Sequence, residues 1–241
     1  MLNYSAWYGS AADVLRYADA AAALGLQLIW PLNNPAWRGR GNLGPTYSGL
    51  FGGRTSLSNA EVTPLAIGLV ADHPATWGFY IGDELPAAEV ARVRQLSATV
   101  RSLAPGKPQL YIARPGIERL EPFTDIADIV GADAYPVGSR DPPVRQAAQS
   151  ARVAASAAGA RTAMVLQAFS WSQYKPSLGP PQYPSAHSLR RMRDAAIRHA
   201  HPAMILWYSY QDILRSDHPQ QRWRNLIHAA FAPFDQTTTP S

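Results

Sequence analysis

Short apolar segments alternate along the whole chain with segments of helical periodicity. The apolar segments predict β-strands at residues 2–7, 27–32, 77–82, 109–113, 129–134, 163–168 and 203–210. The segments between them predict helices at residues 11–24, 57–71, 87–103, 144–158, 185–199 and 220–231, with a weaker one at 117–123. This order of strand then helix is typical of parallel βαβ units.

The predicted strands are apolar on both faces, which is typical of a parallel sheet covered by helices. A closed barrel and a doubly wound sheet both satisfy this pattern. We count about seven strand–helix units, whereas a TIM barrel has eight. Because the chain begins inside a strand, we expect an α/β fold of the TIM (β/α)8-barrel type that lacks its first strand–helix unit, with that unit encoded upstream. Residues 1–233 would form this single catalytic domain, and residues 234–241 a disordered tail.

Composition narrows the classes of protein that fit. Of the 241 residues, 46% are hydrophobic and 16% charged, which is typical of a globular chain, and no apolar run is long enough to cross a membrane. The net charge is +5, but the arginines are scattered over predicted helices, so we expect no nucleic-acid or membrane partner. The sequence has no cysteine, which excludes disulfides and a thiol nucleophile.

The first residues of the chain do not form a signal peptide. We expect a secreted or periplasmic protein if a leader precedes the missing unit, and a cytoplasmic protein otherwise. The oligomeric state is left open.

Acidic residues close two of the predicted strands. In the segment Trp77-Gly-Phe-Tyr-Ile-Gly-Asp-Glu-Leu-Pro86 the strand is followed by Asp83 and Glu84, and Asp133 ends a second apolar strand before Tyr135. Glycosidic cleavage requires two carboxyl groups, one protonated and one ionised. The structural alternatives are compensation of the next helix dipole for Asp83 or Glu84, and a rim hydrogen bond for Asp133.

Amide and aromatic residues concentrate near the same predicted strand ends. Amides and phenols bind sugar hydroxyls, and indole rings stack on sugar rings, although any one aromatic could equally belong to the core. Trp30 and Asn34 offer similar chemistry after the second strand. We predict substrate contacts from Asn33, Trp37, Tyr80, Arg114, Tyr135, Gln167, Trp171, Tyr208 and Gln211.

Four segments together resemble bacterial TIM-barrel glycoside hydrolases of the clan A-like superfamily. They are Gly-Phe-Tyr-Ile-Gly-Asp-Glu, Gly-Ala-Asp-Ala-Tyr-Pro, Val-Leu-Gln-Ala-Phe-Ser-Trp and Leu-Trp-Tyr-Ser-Tyr. The resemblance implies that Glu84 corresponds to the general acid/base at the end of the fourth barrel strand. Two departures stand out: Asp83 occupies a position where the clan usually has Asn, and Gln167 replaces its nucleophilic Glu.

Several other chemistries find no support. Residues 39–44 match G-x-G-x-x-G, but they neither follow a strand nor open a helix, so no dinucleotide cofactor is expected. The histidines lack metal-ligand spacing, and we expect no metal site and no cofactor. A G-x-S-x-G elbow and a P-loop are both missing from the sequence.

These observations predict an O-glycosyl hydrolase that acts on an oligo- or polysaccharide. Glu84 would be the general acid, Asp133 the base or nucleophile, and Asp83 a like charge that raises the pKa of Glu84. The alternative is a non-catalytic carbohydrate-binding or degenerate barrel, because Gln167 stands where an acid is expected. An isomerase or aldolase is weaker, because neither Lys107 nor Lys175 ends a strand.

Overall fold

The strands follow one another in chain order along a parallel sheet. The computed structural model describes residues 2–4, 7, 9–32, 50, 57–114, 120–138 and 145–234. Its strands are β1 (Leu2–Tyr4), β2 (Gln27–Pro31), β3 (Thr76–Asp83), β4 (Gln109–Ala113), β5 (Ile129–Ala134), β6 (Arg161–Gln167) and β7 (Met204–Tyr208). The sheet order is β1-β2-β3-β4-β5-β6-β7. Each predicted strand is therefore found, with differences only at its ends.

Helices separate most of these strands. They are α1 (Ala11–Ala23), α2 (Asn59–Val70), α3 (Val90–Leu103), α4 (Gln146–Ser156), α5 (Ala186–Ala200), α6 (Tyr210–Leu214) and α7 (Pro219–Phe231). The short α6 was not predicted, because residues 209 and 210 were assigned to the preceding strand. The weak helix predicted at 117–123 is present only as a 3-10 turn at Glu121–Phe123, and residues 115–119 lie outside the described part of the chain.

Local sequence signals explain where α1 begins and ends. Ser10 Oγ accepts a hydrogen bond from the Asp13 N–H at 3.2 Å, and Asp13 Oδ2 accepts one from the Ser10 N–H at 2.8 Å. This reciprocal cap satisfies two amide groups that the first helical turn leaves without partners. Gly25, at φ 66°, adopts the left-handed conformation that ends the helix.

The described residues cluster into two compact units, each considered separately. Unit one comprises residues 1–111 and 125–128. Within it β1 pairs with β2 and β2 with β3, all in parallel. Its core includes the buried rings of Trp7 and Trp30, whose centroids lie 4.8 Å apart. The apolar segments therefore form the covered parallel sheet that their composition predicts.

Unit two comprises residues 112–124 and 129–241. Within it β5 pairs with β6 and β6 with β7, again in parallel. The buried Arg193 forms an ion pair with Asp194 and donates hydrogen bonds to the carbonyls of Ala232 and Pro233 at 2.6 and 3.1 Å. This guanidinium therefore fixes the backbone that follows α7 against α5.

The α/β class and the parallel strand–helix order are confirmed. Because parallel strands end at a common edge of their sheet, Asp133, Gln167 and Tyr208 lie near one edge in unit two. In unit one, β3 ends at Asp83. The prediction that residues 1–233 form a single domain stays a prediction, and residues 235–241 of the predicted tail lie outside the described residues.

Candidate active site

Glu84 lies at the point where the chain leaves the core of unit one. Residues 78–82 of β3 are buried, whereas Asp83, the last residue of the strand, and Glu84 are exposed. Glu84 has φ 51°, in the left-handed region that side chains other than glycine rarely adopt. The chain then passes through Leu85 to Pro86, which precedes a 3-10 turn at Ala87–Glu89. The predicted acid therefore sits on a tight, solvent-facing turn at the carboxyl end of a parallel strand.

Asp83 is tied to the strand that precedes it. Tyr80 Oη donates a hydrogen bond of 2.6 Å to Asp83 Oδ1. Although Asp83 reaches solvent, nearby protein atoms still displace water from its carboxyl group, and this desolvation raises the pKa of Asp83; the Tyr80 hydrogen bond lowers it and the Glu84 charge raises it further. The charge of Glu84 is therefore the smallest of the three effects on the pKa of Asp83. Tyr80 was predicted to bind substrate, but its ring is buried and its hydroxyl is engaged within the protein.

Tyr111 of β4 is a neighbour of this turn that the sequence did not reveal. It is 0% exposed, and its Oη donates a hydrogen bond of 2.8 Å to the Leu85 carbonyl. Burial, and secondarily the charge of Asp83, raise the pKa of Tyr111, so the hydroxyl keeps its proton and donates at any physiological pH. The available signal was weak: a tyrosine in an apolar strand usually indicates core packing.

Trp30 is placed differently from the sequence expectation. It is 0% exposed, and its Nε1 donates a hydrogen bond of 2.9 Å to Thr76 Oγ1. The suggestion that it adds sugar-binding chemistry is wrong, because the ring and its polar atom are both enclosed in the core of unit one. Asn33, Asn34 and Trp37 lie outside the described residues.

In unit two, Asp133 and Gln167 occupy neighbouring strands but are both enclosed. Asp133 is 4% exposed, and Gln167 is 0% exposed. Gln167 Oε1 accepts from the Val137 N–H at 2.8 Å, and its Nε2 donates to the carbonyls of Val137 and Phe169 at 2.8 and 3.0 Å. The backbone therefore occupies both ends of this amide, and the geometry does not favour the predicted contact of Gln167 with substrate.

Aromatic rings form a connected cluster above these strand ends. Phe169 contacts Tyr135, Trp171, Tyr174 and Tyr208, with ring centroids 5.1 to 5.7 Å apart, all edge to face. Trp171 Nε1 also donates a hydrogen bond of 3.1 Å to the Tyr135 carbonyl. Tyr174 and Tyr208 keep 47% and 44% of their surface exposed. The cluster therefore combines rings fixed by packing with phenol groups that reach solvent.

A buried carboxylate supports the exposed edge of this cluster. Asp212 is 6% exposed and accepts a hydrogen bond of 2.6 Å from Tyr174 Oη, together with one from Ser209 Oγ. Tyr174 Oη lies 3.4 Å from Tyr208 Oη. Burial, then the hydrogen bond to Asp212, raise the pKa of Tyr174. Neither Tyr174 nor Asp212 was predicted, because both follow the strands and their pairing spans 38 residues.

The remaining predicted contacts are exposed. Arg114 follows β4, and Gln211 lies in α6. In the described part of the chain, we find no group of three or more His, Asp or Glu side chains that could hold a metal ion. The described helices include none that is long and apolar enough to span a membrane.

The parallel strand–helix order defines an α/β protein. Comparison with solved structures finds glycoside hydrolases with a similar fold at low sequence identity. A β-galactosidase from the psychrophilic Marinomonas ef1 is 10% identical with a TM-score of 0.64; the match covers 95% of this chain and 55% of that enzyme, so the chain spans about half of its length.

Two further solved structures are similar over most of the chain. A glycoside hydrolase family 5 protein from Streptomyces cattleya, in complex with a mannosyl-N-acetylglucosamine disaccharide, is 17% identical with a TM-score of 0.54, covering 95% of this chain and 67% of that one. The family 113 β-mannanase of Alicyclobacillus acidocaldarius is also 17% identical with a TM-score of 0.54, covering 92% and 80%. No protein-family model matches the chain, and no curated protein matches it. The likeness therefore supports an α/β fold consistent with part of a TIM barrel.

Proposed function

We propose that the protein is a glycoside hydrolase that cleaves O-glycosidic bonds. The observation that carries this proposal is Glu84, an exposed carboxyl group on a left-handed turn at the carboxyl end of a parallel strand. Active sites of TIM-barrel enzymes are built at that end of the strands. The proposal also draws on the likeness of the fold to glycoside hydrolases.

In the proposed reaction, Glu84 gives its proton to the glycosidic oxygen as the bond from that oxygen to the anomeric carbon breaks. A second carboxyl group serves as the base or the nucleophile, and water supplies the hydroxyl group that the anomeric carbon finally carries. Asp133 stays the sequence prediction for that role. Gln167 does not fill it, because an amide is a poor nucleophile and this one is hydrogen-bonded to backbone through both its oxygen and its nitrogen.

The aromatic cluster of unit two supports a carbohydrate ligand. Exposed tyrosine rings present apolar faces for the C–H side of a sugar ring and hydroxyl groups for its polar edge. Tyr135, Trp171 and Tyr208 are the members predicted from the sequence to contact substrate, and Tyr174 joins them here. We infer a hexose as the recognised unit, since the similar structures include a β-galactosidase and a β-mannanase.

The test is hydrolysis of 4-nitrophenyl β-mannoside, β-galactoside and β-glucoside and of β-1,4-mannan, by the wild type and by Glu84→Gln. The variant should fold normally and lose at least about a thousandfold in kcat, since it lacks the transferable proton. Glu89→Gln is the matched control, a partly exposed acid five positions along the same segment that pairs with Arg92, and should remain active. Full activity of Glu84→Gln would refute the assignment.

A non-catalytic carbohydrate-binding protein is the second candidate. Gln167 favours this candidate, because it stands where the resembled clan has its nucleophilic acid. Its amide oxygen and nitrogen are both hydrogen-bonded to backbone. This candidate predicts that mannan oligosaccharides quench tryptophan fluorescence of the wild type without being cleaved. Glu84→Gln would then bind as the wild type does, whereas Trp171→Ala would bind less.

A further inference from the structure

One side chain, that of Tyr111, contacts the acidic turn of unit one at two points. Its ring lies against Gly82, where an added Cβ would be 2.7 Å from a ring carbon. Its hydroxyl holds the Leu85 carbonyl at 2.8 Å. Gly82 precedes the Asp83–Glu84 pair and Leu85 follows it. Tyr111 therefore fixes the backbone on both sides of Glu84 while lying fully inside the protein itself.

The conformation of Glu84 explains why such a support is needed. At φ 51° a residue with a Cβ is about 1–2 kcal/mol less stable than in the right-handed or extended regions. Contacts around the residue must offset that cost, or the turn relaxes. If the backbone of Glu84 relaxed to a negative φ, its Cα–Cβ bond would point in another direction. The carboxyl group would then leave the position set by β3.

The hydroxyl of Tyr111, and not only its ring, holds the turn around Glu84. A phenol has one proton to donate, and Tyr111 donates it to the Leu85 carbonyl. Phenylalanine at this position would keep the packing against Gly82 and lose the hydrogen bond to the Leu85 carbonyl. The two contacts can therefore be separated by a single conservative substitution.

We propose that Tyr111 is a positioning residue that holds the Glu84 carboxyl group in place for proton donation. The inference rests on the proposed function, since it assumes that Glu84 is the general acid. It adds a specific dependence: proton transfer should require the hydroxyl of a buried tyrosine that has no contact with solvent.

The experiment compares two leaving groups on the glycoside that the wild type cleaves best. A 4-nitrophenol leaving group benefits from an acid, whereas 2,4-dinitrophenol departs with little protonation. Tyr111→Phe should lower kcat for the 4-nitrophenyl glycoside about ten- to a hundredfold with KM unchanged, because misplacement of about 1 Å can cost a hundredfold. Its kcat for the 2,4-dinitrophenyl glycoside should change less than about threefold. Tyr111→Leu, which removes the ring as well as the hydroxyl, should show the same selective loss for the 4-nitrophenyl glycoside, at least as large as that of Tyr111→Phe.

Val100→Ala is the matched control. It truncates a buried side chain of α3 in the same unit and should destabilise the fold without changing the ratio of the two rates. A Tyr111→Phe variant that loses equal activity on both substrates, or none on either, would overturn the positioning role.

Glu84→Gln, assayed alongside, separates the two proposals. If that variant loses 4-nitrophenyl hydrolysis and Tyr111→Phe does not, only the positioning role fails. If Glu84→Gln stays active, or if the wild type cleaves neither substrate, the proposed function fails and the positioning role fails with it.

Discussion

Replacing Glu84 with glycine should stabilise the protein while removing its proposed activity. Glu84, Ala158 and His201 are the residues other than glycine that have positive φ within the described ranges, at 51°, 49° and 44°. The left-handed conformation costs an L-residue about 1–2 kcal/mol. Glycine removes that cost but loses about 0.5–1 kcal/mol through the greater freedom of the unfolded chain. The net gain expected for Glu84→Gly is therefore about 0.5–1 kcal/mol in the free energy of unfolding.

The measurement is urea and thermal unfolding of Glu84→Gly beside the wild type. For a chain of this size the gain corresponds to a rise in Tm of about 1–4 °C. Glycosidase activity should be lost, because glycine carries no proton to transfer. This pairing of gained stability with lost activity is expected where a functional residue is held in a strained conformation.

Ala158→Gly is the matched control. Ala158 is exposed, follows α4 and has nearly the same φ as Glu84, so this variant should gain similar stability and keep its activity. If Ala158→Gly is stabilised while Glu84→Gly is not, the turn around Glu84 does not store the strain assigned to it, and the reasoning is refuted.

Two further predictions concern buried and titrating groups. Gln167→Glu should lower the free energy of unfolding by about 2–3 kcal/mol and create no nucleophile, because the new carboxylate would face the carbonyls of Val137 and Phe169 without a hydrogen-bond donor. Urea unfolding at neutral pH measures this loss of stability. An unchanged unfolding midpoint would contradict the geometry. The pKa of Asp83 is raised in the folded protein, so the contribution of Asp83 to stability is complete below the ordinary Asp pKa of 3.8 and is lost as the pH rises through the folded-state pKa. Asp83→Asn should therefore become more stable relative to the wild type as the pH rises from 3.8. A hydrogen bond from Arg94 lowers the pKa of Asp125, so the contribution of Asp125 to stability is complete above its ordinary pKa of 3.8 and is lost as the pH falls below that value. Asp125→Asn should therefore become more stable relative to the wild type as the pH falls below 3.8, and a change in the same direction as for Asp83→Asn would contradict the assignment.

The sequence alone predicted the order of strands and helices. Apolar runs and helical periodicity are local properties, and the caps at Ser10 and Ser185 form with residues three positions away. The same local signals placed Asp83 and Glu84 at a strand end, because an apolar run followed by two acids and a proline marks the exit from a core. The exact ends were less certain, as the unpredicted helix α6 shows.

The sequence did not reveal which side chains surround those acids. Tyr111 reaches Leu85 across 26 residues, and Gln167 reaches Val137 across 30. A tyrosine or a glutamine near a strand end has the same local sequence whether it faces a ligand or the backbone of a neighbouring segment. Trp30 gave the wrong expectation for this reason: its position near the end of a strand suggested a ligand contact, but packing encloses it.

What the sequence by itself determined is therefore the parallel strand–helix order and the exit of the chain at Asp83 and Glu84, since periodicity and strand ends depend on neighbouring residues. Only the tertiary structure decided that the amide of Gln167 is hydrogen-bonded to backbone groups, that Asp212 and Tyr174 support the aromatic cluster, and that Tyr111 contacts the backbone on both sides of Glu84. Those arrangements depend on contacts between segments far apart in the chain, and a hydrogen bond between such segments exists only once the strands have packed.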